Sequence, residues 1–363
     1  MYKGTGISKD QLSDDGEPCI LYGELYTKYK SETIREVISK TNINNTKLVR
    51  SKANDVIIPC SGETAEDIAT ARCVLNGNIL LGGDLNIIRL HGYDGAFMSY
   101  QLNGRRKYDI AKVAQGVSVV HLYGEHLKGV KTINPCLEEQ KKIAKLLSLL
   151  DERIATQNKI IEDLKKLKSA IIEMEYSHMT KSISHIGDFI EQTSKRNKDS
   201  AIQNVLSVSN SQGFIQQSEQ FENRIVASDD TSNYKIVERN DFAFNPARIN
   251  VGSIARLITF ERGIVSPMYI CFRTKCNLFP EYLDYYFESK QFYTEIQKRL
   301  EGSVRQCLSF DGLCNIPLCV PSVEIQRQIG KRLSTLVQEI KLEIDFLELL
   351  QKQKKFLLYQ MFI

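Results

Sequence analysis

The residues of this chain that could do chemistry are polar and basic groups in short loops. Ser61, Gly62 and Thr64 follow the apolar run "DVIIPC" and offer small donors and acceptors where a backbone can approach a phosphate. At the corresponding place later in the chain lie Arg248, Asn250 and Ser253. Arginine can grip guanine through two hydrogen bonds, and asparagine can do the same for adenine. A second pair of loops follows Gly116 and Gly302, with Ser118 and His121 in one and Arg305 and Gln306 in the other. Basic groups suited to clamping phosphates are Lys47, Arg50 and Lys52, the run Arg105-Arg106-Lys107, then Lys195, Arg196 and Lys198, and finally Lys298-Arg299. The same residues also suit ordinary polar turns and solvated surface. His121 and His126 frame Glu125 in an H-x4-H pattern, yet no third metal ligand is placed, so no metal is assigned. There is neither a P-loop nor a nuclease-like cluster of acids with lysine.

Composition narrows the class. The chain has 363 residues, enough for two or three domains, with 42% hydrophobic and 25% charged residues. No apolar run approaches the roughly 18 residues of a membrane span, and "MYKGTGISKD" has no signal core, so the expectation is a cytoplasmic protein with no membrane partner. Nine cysteines without a CxxC pair read as reduced, mostly buried thiols. A net charge of +4 with no polycationic tail means that any nucleic-acid contact must be made by local patches.

The elements that must position these loops are organised by an internal repeat. "NDVIIP" at Asn54 falls on "NDFAFN" at Asn240, an offset of 186 residues that carries on nearly without gaps. At that offset Ile68-Ala69 falls on Ile254-Ala255, Gly77 on Gly263, Phe97 and Tyr100 on Leu283 and Tyr286, and Gly116 on Gly302. Leu122 falls on Leu308, Leu127 on Leu313, Pro135 on Pro321 and Gln140 on Gln326. The front of each copy mixes short β-like runs with Gly, Asn and Ser turns and helical pieces such as that from Pro280, a compact α+β domain.

The back of each copy is one long amphipathic helix. In the first, Ile143, Leu147, Leu150, Ile154, Ile161 and Leu164 fall on a heptad seam interrupted by Gln157 and Lys168. In the second the seam reads Ile329, Leu333, Leu336, Ile340, Glu343, Leu347 and Leu350, with Lys354 beyond. Each helix needs a partner for its apolar stripe, and connectivity through the second globular domain makes the pair antiparallel. About 38 residues at ~1.5 Å each make a spacer of roughly 57 Å. The expected architecture is α+β, with two globular domains in a pseudo-two-fold repeat separated by two long antiparallel coiled-coil helices. The expected boundaries are 1–134, 135–177, 178–321 and 322–363. The polar seam positions suit either register setting or docking.

At this point the residues resemble a family. "LEEQKKIAKLLSLLDERI" and "IIEDLKKLKSAII" look like the central conserved region of type I restriction-modification specificity (S) subunits, and "VPSVEIQRQIGKRL" with "QKQKKFLL" resembles their distal conserved region. "IPCSGETAEDIA", "GGDLNIIRL", "GVSVVHLYGEHL", "NPARINVGSIA" and "LSFDGLCNIPL" look like pieces of their target recognition domains. The resemblance covers essentially the whole chain. It implies that each globular domain reads one half of a bipartite site on double-stranded DNA. It further implies that the helix pair sets the gap and docks two modification (methyltransferase) subunits. Those subunits would carry S-adenosylmethionine and flip the target base, and ATP- and Mg-dependent restriction subunits would complete an endonuclease. The chain itself would be non-catalytic, with no cofactor of its own.

Three points stand beside that implication. "FNPAR" from Phe244 partly matches the NPPY motif of amino-methyltransferases, but it lacks the second proline and the aromatic, and no FxGxG cofactor loop accompanies it. The second copy opens with "SISHIGDFIEQTS" from Ser182, whose counterpart would precede Met1, so the first domain is expected to lack part of its opening strand, either through truncation or because that strand comes from elsewhere. The alternative reading of the whole is a coiled-coil scaffold whose globular ends bind protein partners.

Overall fold

Proline has no N–H to donate and restricts the residue before it, so a helix readily starts just beyond it. The two long helices begin two residues after Pro135 and Pro321, at Leu137–Tyr176 and Val323–Gln360. This computed structural model describes residues 1–44, 47–177, 184–210, 212–217, 230–302 and 306–362. By packing, the chain forms two units, Met1–Ile160 with Glu343–Ile363, and Ile161–Leu342. Each unit holds one mixed α/β part and one piece of each long helix.

In the first unit a five-stranded sheet runs in the order Tyr2–Lys3, Leu85–Ile88, Asp55–Pro59, Arg72–Val74, Thr33–Ile34. Its central strand Asp55–Pro59 is buried at every residue. That burial explains why it reads as a continuous apolar run and not as an alternating one. A four-stranded sheet, ordered Ser39–Thr41, Glu17–Ile20, Leu80–Leu81, Val49–Arg50, completes the α/β part. Helix Gly95–Asn103, capped where Asp94 accepts from the Phe97 N–H (2.8 Å), presents Phe97 and Tyr100 to the long helices. There they pack with Leu147, Leu358 and Phe362, the Phe97 and Phe362 rings meeting edge to face at 5.3 Å.

The second unit repeats the plan. One sheet is ordered Ile190–Thr193, Ile270–Thr274, Phe242–Phe244, Ile254–Arg256, and the other Gly213–Gln216, Val205–Ser209, Arg262–Val265, Lys235–Glu238. Its largest core joins Phe242, Phe244 and Phe272 of the sheet, and Tyr282 and Tyr286 of helix Pro280–Tyr286, to Ile172, Tyr176, Ile329 and Leu333 of the long helices. The Tyr176 hydroxyl donates to the Tyr282 carbonyl (2.6 Å).

Several paired details give the repeat a physical basis. Asn54 and Asn240 both hold left-handed φ (76° and 72°), a conformation asparagine tolerates better than most residues. The next residue in each, Asp55 or Asp241, accepts from an N–H three residues back and pairs with an arginine of the neighbouring strand, Arg89 (2.8 Å) or Arg273 (3.1 Å). Gln140 and Gln326 are buried at equivalent turns of the two helices. Each donates to the proline carbonyl ahead of its helix (Pro135, 2.7 Å; Pro321, 2.9 Å) and accepts an N–H from the adjoining helix start (Asp94, 2.9 Å; Phe279, 2.7 Å).

The constant offset fails at two places: Leu81 faces Val49 as Val265 faces the equivalent Lys235, so Gly263 corresponds to Ile79 and not to Gly77, and the pair Ile254-Ala255 is displaced as well. Ala255 faces Ala243 on the central strand of the second copy, while Arg72 faces the equivalent Ile57 in the first. Ile254-Ala255 therefore corresponds to Ala71-Arg72 and not to Ile68-Ala69, because the first copy's intervening loop is three residues longer. That extra length folds as the short helix Ala65–Ile68.

Within each unit the long helices run antiparallel. In the first, Leu147 meets Leu358, Asp151 meets Lys354 and Gln157 meets Glu343. In the second, Tyr176 and Ile172 pack with Ile329 and Leu333, and Arg332 pairs with Glu175 (3.0 Å). Along the seam Leu147, Gln157, Ile161, Ile329, Leu333, Ile340 and Leu350 are buried, and Ile143, Leu150, Ile154, Leu164, Leu336, Glu343 and Leu347 are half-buried. The two lysines that interrupt the seam tie helix to globular part. Lys354 Nζ lies 2.5 Å from Glu32 and 2.6 Å from Asp151, and Lys168 Nζ lies 2.6 Å from Glu288. Burial raises the Glu32 pKa even against Lys354, while Lys354 is raised by Glu32 and Asp151 although burial opposes it.

Candidate nucleic-acid interface

In the first copy the two loops singled out by sequence form one structure. The central strand ends at Pro59, and Ser61–Gly62 then pairs antiparallel with Val120–His121, setting Ser61 opposite His121 and Gly62 opposite Val120. The Leu122 N–H donates to the Cys60 carbonyl (2.8 Å). Gln115 and His121 exchange backbone hydrogen bonds (2.9 and 2.7 Å) that close the loop between them. Gly116 starts that loop at φ 120°, where a Cβ would lie 2.1 Å from the Val119 carbonyl oxygen, so only glycine fits. At the tip Val117 is 97% exposed, and Ser118 is exposed beside it. His121 is exposed near Tyr123 (centroids 6.4 Å), and the Lys3 ammonium lies 5.9 Å from the Tyr123 ring.

The second copy is built the same way. Glu301 and Cys307 exchange backbone bonds (both 2.9 Å), Gly302 has φ 101°, and the Leu308 N–H donates to the Pro246 carbonyl (3.0 Å). Leu308 and Pro246 are the residues equivalent to Leu122 and Cys60, so one hydrogen bond joins the same two loops in both copies. The strand Phe242–Phe244 leads into a loop in which Ala247 N–H donates to the Asn245 side chain (3.1 Å), followed by the 3-10 turn Ile249–Val251. Arg248 is exposed and Asn250 half-buried. Gln306 is exposed; Arg305 lies outside the described residues.

Some residues nominated by type are engaged in holding the fold. Ser253 is 4% exposed and its hydroxyl donates to the Val208 carbonyl (3.5 Å), so it supports the loop from inside and cannot reach a base edge. Thr64 caps helix Ala65–Ile68, accepting the Asp67 N–H (3.1 Å). Ser61 donates to Asp84 (3.3 Å), and Gly62 leaves room for the Tyr26 hydroxyl, 3.1 Å from where a Cβ would sit.

The basic groups divide similarly. Arg50 is held by both oxygens of Glu17 (2.5 and 2.9 Å), and its hydrogen bonds keep the Glu17 carboxyl below the usual range. Arg106 is half-buried and reaches Asp109 at 3.4 Å, whereas Arg105 is exposed. Lys298 and Arg299 both close on Glu295 (2.6 and 2.5 Å). Lys47 and Lys52 are exposed, and the Lys47 carbonyl accepts from Thr5 (3.3 Å). Lys195, Arg196 and Lys198 line a cavity of about 760 Å³ together with Arg262. Arg262 comes from the start of a strand in the other sheet. Sequence reading missed it, as it missed Lys3 and Tyr123, because only tertiary pairing brings Arg262 beside Lys195, Arg196 and Lys198, and Lys3 beside Tyr123. In the H-x4-H segment Glu125 pairs with Lys128 (2.7 Å), and His126 packs its ring on Tyr123 (5.6 Å).

What the arrangement can do is present two pairs of polar loops, similarly tethered but differently furnished, on two copies of one domain. Residues 3–166 and 182–352 each match the type I restriction modification DNA specificity domain. The chain belongs to that family. The specificity subunit of the type I restriction enzyme MjaVIII from Methanocaldococcus jannaschii is 23% identical over 368 residues, spanning 92% of this chain and 83% of that protein. The crystal structure of a type I restriction-modification S subunit from M. genitalium aligns at TM-score 0.59 and 18% identity, over 100% of this chain and 93% of that one. A chain from a structure concerned with complex assembly and conformational transition of the type I R-M system aligns at TM-score 0.53 and 14% identity, over 90% and 86%. At these identities the structural likeness is one of fold. Type I specificity subunits are non-catalytic, and two copies of the specificity domain make this chain a reader of DNA.

Proposed function

We propose that each globular part of this type I specificity chain reads one half of a bipartite site on duplex DNA. The observation carrying this reading is the shared tether, Leu122 to Cys60 and Leu308 to Pro246, which joins corresponding loops bearing different side chains. A common scaffold with different polar groups is what two different half-sites require. The outward groups are Ser118 and His121 in one copy, and Arg248, Asn250 and Gln306 in the other. Base-edge contacts from Arg248 and Asn250 supply identity, and Arg105, Lys195, Arg196 and Arg262 supply phosphate contacts that fix position. The helix pair sets the gap and docks two modification subunits, which hold S-adenosylmethionine; restriction subunits hold ATP and Mg.

The test is binding to duplexes carrying two half-sites at varied spacing, measured at two salt concentrations. A reader prefers one pair of half-sites at one spacing, and its affinity falls with salt. A protein-binding scaffold shows neither sequence nor spacing preference. Inserting a heptad into one long helix should change the preferred gap or abolish binding, while half-site identity stays the same.

A further inference from the structure

The loop between Gln115 and His121 in the first copy presents apolar side chains that the fold does not use. Val117 is 97% exposed and Val119 51% exposed, whereas Val120 turns inward opposite Gly62 and is buried. Turn tips favour Gly, Pro, Asn, Asp and Ser, so two solvent-facing valines serve neither the turn nor the core. The tip is nonetheless held in place. Gln115 and His121 exchange backbone bonds at its base, Gly116 at φ 120° folds it against the Val119 carbonyl, and the Leu122 N–H ties it to Cys60.

The polar neighbours define what such a surface meets. Ser118 and His121 are exposed in the same loop. In the major groove thymine shows its O4 acceptor beside its C5-methyl group, whereas cytosine shows an N4 donor and no methyl. A serine hydroxyl both donates and accepts, so Ser118 alone separates thymine from cytosine poorly. An apolar side chain beside it makes the distinction, because only thymine has a methyl group to cover. At the corresponding places of the second copy, counted from Gly302, the sequence has Ser303 and Arg305. The two loops therefore differ in chemistry where Val117 and Val119 stand.

We infer that Val117, supported by Val119, reads the C5-methyl group of one thymine in the half-site of the first copy. This rests on the reading that the copy contacts a half-site on duplex DNA. Val117 separates T·A from C·G at that base pair, with the Ser118 hydroxyl at the neighbouring O4. Covering one methyl group is worth about fourfold in affinity. The contact therefore sets identity at a single pair and leaves most of the affinity to phosphate contacts.

The experiment measures binding of the full chain to its preferred duplex, selected from a randomised pool, with each thymine replaced in turn by uracil, which lacks only the methyl group. The expected result is a loss of about fourfold at one thymine of one half-site, and no loss at that position for Val117→Ser. Val117→Ser should melt at an unchanged temperature, since the side chain is almost wholly in solvent. Equal binding of thymine and uracil duplexes at every position, or the same loss in Val117→Ser, would overturn the inference while the half-site reading stands. Weaker association of Val117→Ser with the modification subunits, with the uracil effect kept, would make the tip a protein contact and overturn it too. No preferred duplex at all would overturn the half-site reading itself, and the inference with it.

Discussion

Gln157 meets its own repeat counterpart: its Nε2 donates to the Glu343 carbonyl (3.1 Å) and to the Glu343 carboxylate, and the two positions lie 186 residues apart. In an antiparallel pair of equivalent helices, one position touches its own copy at the centre of the register. A polar pair at that point, buried on the Gln157 side, opposes a slip of one heptad, because a slip would leave both groups against apolar neighbours. Gln157→Leu should therefore destabilise by about 1–3 kcal/mol, the cost of a desolvated group left without its partner. Replacing both residues by leucine should recover most of that loss, as a double-mutant cycle in chemical denaturation would show.

The cluster of Lys354 with Glu32 and Asp151 carries a pH signature. Glu32 has a raised folded pKa because burial outweighs Lys354, so its contribution falls as pH rises through that value. Lys354 is raised above its ordinary 10.5, so its contribution is present below 10.5 and is lost as pH climbs past the folded value. Lys354→Met removes the ammonium from Glu32 and from Asp151, which keeps its hydrogen bonds from Ser31 and Tyr100, and should cost about 3–5 kcal/mol near neutral pH. The deficit should shrink as pH falls and the buried Glu32 carboxyl, its pKa already raised, takes up its proton, read by thermal melts across the acid range.

Asp284 gives the second unit its own acid-range behaviour. Burial lifts its carboxyl to about 6, against the opposing pull of Arg256 at 3.1 Å. A raised acid binds protons better when folded, so the stability of this unit should fall as pH rises from 3.8 to about 6. Asp284→Asn should flatten that slope, and an unchanged slope in denaturant titrations would assign it elsewhere.

Residues in the paired loops should separate into readers and supports. Arg248→Ala or Asn250→Ala should each remove about 1–3 kcal/mol of discrimination at one half-site while leaving the other half intact. Thr64→Ala should instead cost about 1 kcal/mol of stability with half-site preference unchanged, since its hydroxyl caps a helix. Competition binding with single-base variants of each half-site distinguishes the two outcomes.

The helices were the most legible part of the chain because their cues are local and periodic. Heptad spacing marks the seam, Pro135 and Pro321 mark the starts, and Gln140 and Gln326 recur in the same turn. The sheet pairing was legible only in its central strand, since a fully buried run announces itself and an edge strand of two residues does not. The loops were legible by place and only partly by role. Ser253 and Thr64 have the composition of a contact surface, yet a carbonyl across the fold and a helix N–H claim their hydroxyls. Arg50 reads as a phosphate clamp until Glu17, 33 residues away, takes both guanidinium arms. Partner choice of this kind is set by tertiary geometry, which spacing along one chain does not encode.

The most direct test of the central claim is to map DNA methylation in cells that co-express this chain with its modification subunits, with and without replacement of the loop 245–252 by the loop of another family member. The account predicts a bipartite methylated site in which that replacement changes one half and preserves the other half and the gap. Methylation without a bipartite site, an unchanged site after the replacement, or simultaneous change in both halves would contradict it.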